Sequence, residues 1–125
     1  MKTWSPKWKS SKQPRKQRKY RAKAPLHAKR KMMKSHLSKN LRKEYGKRSM
    51  GIRKGDEVIV MRGRHKKIAG KITDVDMKNL KVYVDNAKIK KVSGQEVQVG
   101  IDPSNIVITK ISLDDKKRIK ALKRK

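Results

Sequence analysis

Glu44 is the only acid in the first fifty residues, which also hold 19 Lys and Arg side chains. A stretch with that balance cannot build a core of its own, because like charges repel in a compact state and few apolar groups offset the repulsion. From Ile52 to Leu113 the character changes. Residues 51–113 hold 13 basic and seven acidic side chains and are rich in Val and Ile. Residues 114–125 are basic again, with seven Lys/Arg against Asp114 and Asp115. The chain therefore divides into a basic extended arm (1–23), a short helical segment (24–50), a small folded domain (51–113) and a basic C-terminal helix or tail (114–125). Of the formal net charge of +29, that domain carries only +6. The rest calls for a polyanion, and nucleic acid is the commonest in a cell.

Within the domain the apolar pattern is that of strands. Leu80, Val82 and Val84 alternate with Lys81, Tyr83 and Asp85, and Val97, Val99 and Ile101 alternate with Glu96, Gln98 and Gly100. Val58 and Val60 share one face, and Ile106-Val107-Ile108 is a short β-branched run. Turn residues bound each of these segments, with Ser93-Gly94 at a hairpin tip. Alternation fails at Ile72-Thr73-Asp74-Val75, which predicts a bulge or strong bend there. Five or six short strands in about 60 residues predict a mainly β fold, a small and strongly bent barrel.

Outside the domain the signals are helical. Pro25 is read as a first helical residue. Ser38 and Gly46 are read as the caps of a second helix that carries Leu41 and Tyr45 on one face. Ser112-Leu113-Asp114-Asp115 has the capping-box pattern at the start of the tail.

Most kinds of chemistry lack the residues they need. There is no Cys, hence no disulfide framework, thiolate metal site or thiol nucleophile. His27, His36 and His65 lack zinc-motif spacing, so no metal is expected. Asp74 and Asp76 are two apart but lead into the Met77-Lys78-Asn79 turn, which accounts for them better than paired acid/base chemistry does. No phosphate-loop motif occurs. The longest apolar run, Val58–Met61, is far below the roughly 20 residues of a membrane span. The N-terminal positive charge is not followed by the apolar stretch of a secretory signal. The expectation is a protein with no enzymatic activity, no cofactor, no small-molecule substrate and no membrane insertion.

The basic residues are the informative ones. Arg15-Lys16-Gln17-Arg18-Lys19-Tyr20-Arg21 is a dense run with one aromatic. Lys and Arg neutralise phosphates, and Trp4, Trp8 and Tyr20 have faces that stack on unpaired bases. The segment Gly55–Ile72 reads as a strand, a basic loop and a second strand. Gly63 and Gly70 at the loop's ends are expected to take positive φ. Between them project Arg64, His65, Lys66 and Lys67.

Gly55-Asp56-Glu57-Val58-Ile59-Val60 through Gly63, Lys66 and Gly70-Lys71-Ile72 resembles the KOW motif of ribosomal proteins and transcription elongation factors. The flanks separate those relatives. Residues Ser11–Lys19, Ala24-Pro25-Leu26-His27, His36-Leu37-Ser38 with Leu41-Arg42, and Tyr45-Gly46 through Arg48-Ser49 resemble the N-terminal extension of one large-subunit family. Val82-Tyr83-Val84, Gly94-Gln95-Glu96-Val97 and Pro103–Ile108 continue the likeness. That family is the archaeal and eukaryotic type of the twenty-fourth large-subunit ribosomal protein. Residues 1–10 lie outside the pattern. One departure is visible: Lys66-Lys67 stands where the family usually has Lys-Gly, which predicts a backbone at residue 67 without positive φ.

The resemblance implies an SH3-like β-barrel that binds large-subunit rRNA near its 5′ domain. It also implies a part in starting assembly of the subunit, neighbouring ribosomal proteins as partners, and a place near the exit of the peptide tunnel. The extension would thread between rRNA helices while the barrel seats its KOW loop. Carried over as contacts are Arg15, Lys16, Arg18, Lys19, His27, Arg30, Arg42, Arg48, Arg53, Arg64 and Lys66. To these the basic run and the loop add Tyr20, Arg62, His65, Lys67 and Lys71, and Gly55, Gly63 and Gly70 are the turn glycines. Two other readings exist. A KOW-type elongation factor would pair the motif with a further domain, and a DNA-compacting chromosomal protein would not call for these flanks.

Overall fold

The computed structural model describes residues 4–7 and 11–124, so Trp8 lies outside the described residues. The elements run α1 (Pro14–Lys23), α2 (Leu26–Met32), β1 (Lys34–Leu37), α3 (Lys39–Tyr45), β2 (Ser49–Gly51), β3 (Glu57–Val60), β4 (Ala69–Asp76), β5 (Lys81–Lys90) and β6 (Glu96–Ile101). A 3₁₀ turn (Pro103–Asn105), β7 (Ile106–Lys110) and α4 (Lys116–Lys123) follow. The strands form one sheet in the order β2-β1-β7-β3-β4-β5-β6. All its pairings are antiparallel except β1 with β7. This is the expected mainly β, barrel-like domain with short helices and a C-terminal helix.

Period-2 alternation places the core. Val58, Val60, Val82, Val84, Ile106 and Ile108 are all at most 1% exposed. The irregularity at Thr73 is present: pairing between β4 and β5 shifts register between Ile72 and Asp74. The Ser93-Gly94 tip is present as well, with Gly94 at φ +88° and the Lys91 amide donating to the Gln95 carbonyl at 2.8 Å.

The core reaches beyond residues 51–113. Met33, Leu37 and Leu122 belong to the same buried cluster. Residues 24–50 are not only helical: β1 and β2 lie within them. In β1, Ser35 and Leu37 both point inward, and the Ser35 hydroxyl donates to the Ile106 carbonyl. A serine at an inward position hides the strand period from a hydropathy reading.

Capping corrects the sequence reading in two places and agrees with it in one. Pro25 stands just before α2, as its N-cap, rather than inside it. α4 is capped by the Asp115 side chain, which accepts from the Lys117 amide at 2.8 Å. Ser112 instead donates its hydroxyl to Asp114 at 2.6 Å, so no capping box forms. For α3, Ser38 accepts from the Leu41 amide and Gly46 ends the helix at φ +62°.

Residues 1–23, read as an extended arm, carry α1. Pro14 starts the helix, and its Arg, Lys, Gln and Ala residues are good helix formers. None of its residues is buried. A ten-residue helix without tertiary burial is marginal in water. At its C-terminal half, Tyr20 stacks on Trp4 with ring centroids 5.1 Å apart and planes tilted by 32°.

Candidate nucleic-acid interface

The loop between β3 and β4 is held by its own backbone. The Lys67 amide donates to the Val60 carbonyl at 2.8 Å, and the Val60 amide donates to Ile68 at 2.9 Å. Inside the loop, Lys66 donates to Gly63 and Ile68 to His65, both at 3.1 Å. The Met61 amide donates to Asn105 at 2.7 Å, which ties the loop to the start of β7. Four cationic side chains, Arg62, Arg64, Lys66 and Lys67, are exposed on this fixed frame. His65 lies half-buried, and its Nε2 has no hydrogen-bond partner. A preformed array of donors loses less entropy on binding than a free tail does.

Two loop expectations are overturned. Lys67 adopts φ +70°, the left-handed conformation that its departure from glycine argued against. Two backbone hydrogen bonds, from Lys67 to Val60 and from Ile68 to His65, hold it there against the side-chain clash. Gly70 has no positive φ, unlike Gly55 at +86° and Gly63 at +93°. Its lack of a side chain serves close packing instead. A Cβ there would overlap the Asp85 carboxylate and lie 2.9 Å from Val84 Cγ1. Gly70→Ala is therefore expected to lower stability by about 1–3 kcal/mol through overpacking. A thermal midpoint equal to that of the unmodified protein would show that the strands are not in such close approach.

The other expected contacts sort by their surroundings. Arg15, Lys16, Arg18 and Lys19 are exposed on α1, and Tyr20 is half-buried against Trp4. His27 and Arg30 are exposed on α2 and line one cleft together. Arg48 and Lys71 are exposed. Arg42 is half-buried and donates Nε to the Leu37 carbonyl at 2.8 Å, which leaves its terminal nitrogens for other partners. Arg53, partly exposed, is held within the chain by an ion pair with Asp115. That contact, followed by the Lys117 amide, holds the Asp115 carboxyl below its ordinary value. Lys54 does the same for Asp74 at 2.6 Å, seconded by the Val75 amide. Asp76 accepts from the amides of Lys78 and Asn79, so both acids are turn and surface partners and not an acid/base pair.

Several cations escaped the sequence reading. Lys88, Lys90 and Lys91 are exposed on the β5–β6 hairpin, and Lys31, Lys34 and Lys117 beside α2 and α4. Arg118, by contrast, was counted with the solvated tail and is buried. It forks onto Asp56 with both nitrogens at 2.6 Å.

The charge pattern that results is sharp. Among the described residues, the ion pairs use Arg53, Lys54, Lys81, Lys88, Lys110 and Arg118. None of these pairs uses a cation of the first fifty residues or of the 62–67 loop. Also among the described residues, no group of three or more His, Asp or Glu is placed to hold a metal, and no helix is long and apolar enough to cross a membrane.

Comparison with known proteins covers nearly the whole chain. Residues 11–125 match the family of eukaryotic ribosomal proteins L26 and their archaeal counterparts, the twenty-fourth large-subunit proteins. The chain is 48% identical to the large ribosomal subunit protein uL24 of Methanosphaera stadtmanae over 115 residues, covering 92% of this chain and 98% of that one. It is 46% identical to the protein of the same name from Methanocorpusculum labreanum over 113 residues, covering 90% and 93%. Identity of this level and extent, joined to the KOW loop and its barrel, means that the chain belongs to the uL24 family of ribosomal proteins.

Proposed function

We propose that this protein is a structural, non-enzymatic constituent of the large ribosomal subunit that binds large-subunit rRNA through its N-terminal arm and KOW loop. In the same reading it helps to start assembly of the subunit, contacts neighbouring ribosomal proteins, and sits near the peptide tunnel exit in the cytoplasm. The observation that carries the proposal is the division of charge. Four of the barrel's seven carboxylates pair with its own cations and Asp56 pairs with Arg118 of α4, while the arm and loop keep their cations without acidic partners among the described residues. Such cations release counterions when phosphates replace them. RNA would be recognised by shape, phosphates and 2′-hydroxyls more than by base sequence. The family membership gives the elongation-factor and DNA-compacting readings no support.

Deleting residues 1–23 removes ten Lys/Arg side chains. The expected outcome is at least about a tenfold loss of affinity for a large-subunit rRNA fragment at moderate salt. Cooperative unfolding of the barrel is expected to persist, since none of the core cluster lies in that segment. Undiminished binding would move the contacts elsewhere, and loss of cooperative unfolding would make the arm part of the fold. Titrating the fragment and melting the truncated chain measure the two separately.

A further inference from the structure

A cleft of about 700 Å³ opens between α2, β2, the β4–β5 turn and α4. Its floor is thioether and aliphatic, formed by Met33, Met50, Ile52, Val75 and Met77. Its rim carries Arg30 and Lys117 at the surface, with Lys54 paired to Asp74 beside them. A second cleft of about 600 Å³ shares Arg30 and Met77 and adds His27, Lys31 and Lys34. Among the described residues, no carboxylate lines either one. Arg30 and Lys117 have no acidic partner among the described residues.

This combination selects its occupant. The volume is in the range of small-ligand sites, about 300–1,000 Å³. Thioethers make favourable contacts with aromatic rings, and a guanidinium stacks on them. No aromatic side chain among the described residues lines the cleft, so these groups face an open space. An apolar spot flanked by the unpaired cations Arg30 and Lys117, and continuing past Lys31 and Lys34, suits a chain with one negative charge per unit and a flat ring on each unit. An acidic peptide carries its charges on scattered side chains and makes less use of the continuous track.

We propose that this cleft receives one unpaired nucleobase of the bound RNA. Its ring lies against Met50 and Met77. Its flanking phosphates sit on Lys117 at one side and on Arg30, Lys31 and Lys34 at the other. The inference rests on the rRNA-binding reading and adds to it a base-receiving site that neither the arm nor the KOW loop provides.

Methyl-¹³C methionine labelling tests it on the full chain. Met33, Met50 and Met77 report on the cleft, and Met32, which does not line it, is the reference. Adding a short single-stranded RNA at low salt is expected to move the Met50 and Met77 methyls upfield by ring current, and Met32 far less. Met77 is exposed in its turn, so Met77→Glu is expected to keep the thermal midpoint while weakening an rRNA fragment by about tenfold, the scale of one lost stacked base. If Met77→Glu unfolds the protein, the methyl shifts of the unmodified chain decide. An rRNA fragment that binds while the Met50 and Met77 methyls stay put would overturn the inference and leave the rRNA reading intact. Shifts produced by an acidic peptide and not by RNA would overturn it too. Absence of any binding to the fragment would defeat the rRNA reading itself, and this inference with it.

Discussion

Replacing Arg118 by alanine is expected to destabilise the folded chain by about 3–5 kcal/mol, the usual result of leaving one member of a buried ion pair without its partner. The site is closed to solvent: the two side chains are 2% and 0% exposed. The Asp56 carboxylate accepts from both terminal nitrogens of Arg118, from the Arg53 amide at 3.0 Å and from the Ser112 amide at 3.0 Å. The guanidinium also donates to the carbonyls of Ser112 and Gly51 at 3.0 and 3.1 Å. One guanidinium thus ties α4, the approach to α4, the end of β2 and the residue that opens the KOW motif strand. Without it, a carboxylate and two carbonyls stay buried with fewer donors. A domain is stable by only about 5–15 kcal/mol in total, so the variant is expected to be near its unfolding midpoint already in mild denaturant. Lys116→Ala, exposed on the same helix, is expected to stay within about 0.5 kcal/mol of the unmodified chain. Urea unfolding of both variants measures the difference, and a loss below about 1 kcal/mol for Arg118→Ala would mean that α4 is not clamped as described.

That clamp shows where sequence reading ends. Seven Lys/Arg crowd the last twelve residues, and nothing local singles out the one that points inward. The only trace is spacing: Arg118 and Leu122 are four apart on α4 and both are buried. Strands β3, β5 and β7 were legible because Val and Ile alternate or cluster along them. β1 was not, because an inward serine satisfied by the Ile106 carbonyl looks like a surface residue. The bulge at Thr73 was legible because the alternation itself breaks there. Loop glycines were half legible. Gly63 needs its positive φ, whereas Gly70 is small because Val84 and Asp85 lie close, a fact about tertiary packing. Lys67 ran against its local preference, and only the loop's hydrogen bonds show why. The division of charge was the most legible part, since missing acids are visible in sequence. What sequence could not show is that Arg53 is already paired with Asp115, or that Arg30 joins Lys117 around a cleft.

The second large effect concerns binding. The arm, α2 and the KOW loop together offer more than enough exposed cations to neutralise about ten phosphates. Each phosphate contact adds about 0.7–0.9 to the slope of log affinity against log salt. With about ten contacts, affinity for rRNA is expected to fall by about 10⁴–10⁵ between 50 and 200 mM salt. Apolar or hydrogen-bonded recognition with few phosphates would give a shallow slope. The exposed ion pairs each contribute little and the buried Asp56–Arg118 pair is only weakly screened by salt, so the fold is expected to survive the same salt range.

Large-subunit rRNA is the proposed partner of the unmatched charge on the arm and loop. Co-sedimentation with separated ribosomal subunits over a salt series tests it most directly. The protein is expected to travel with the large subunit alone and to leave it only at high salt. Free sedimentation at low salt, or equal partition between the two subunits, would contradict it.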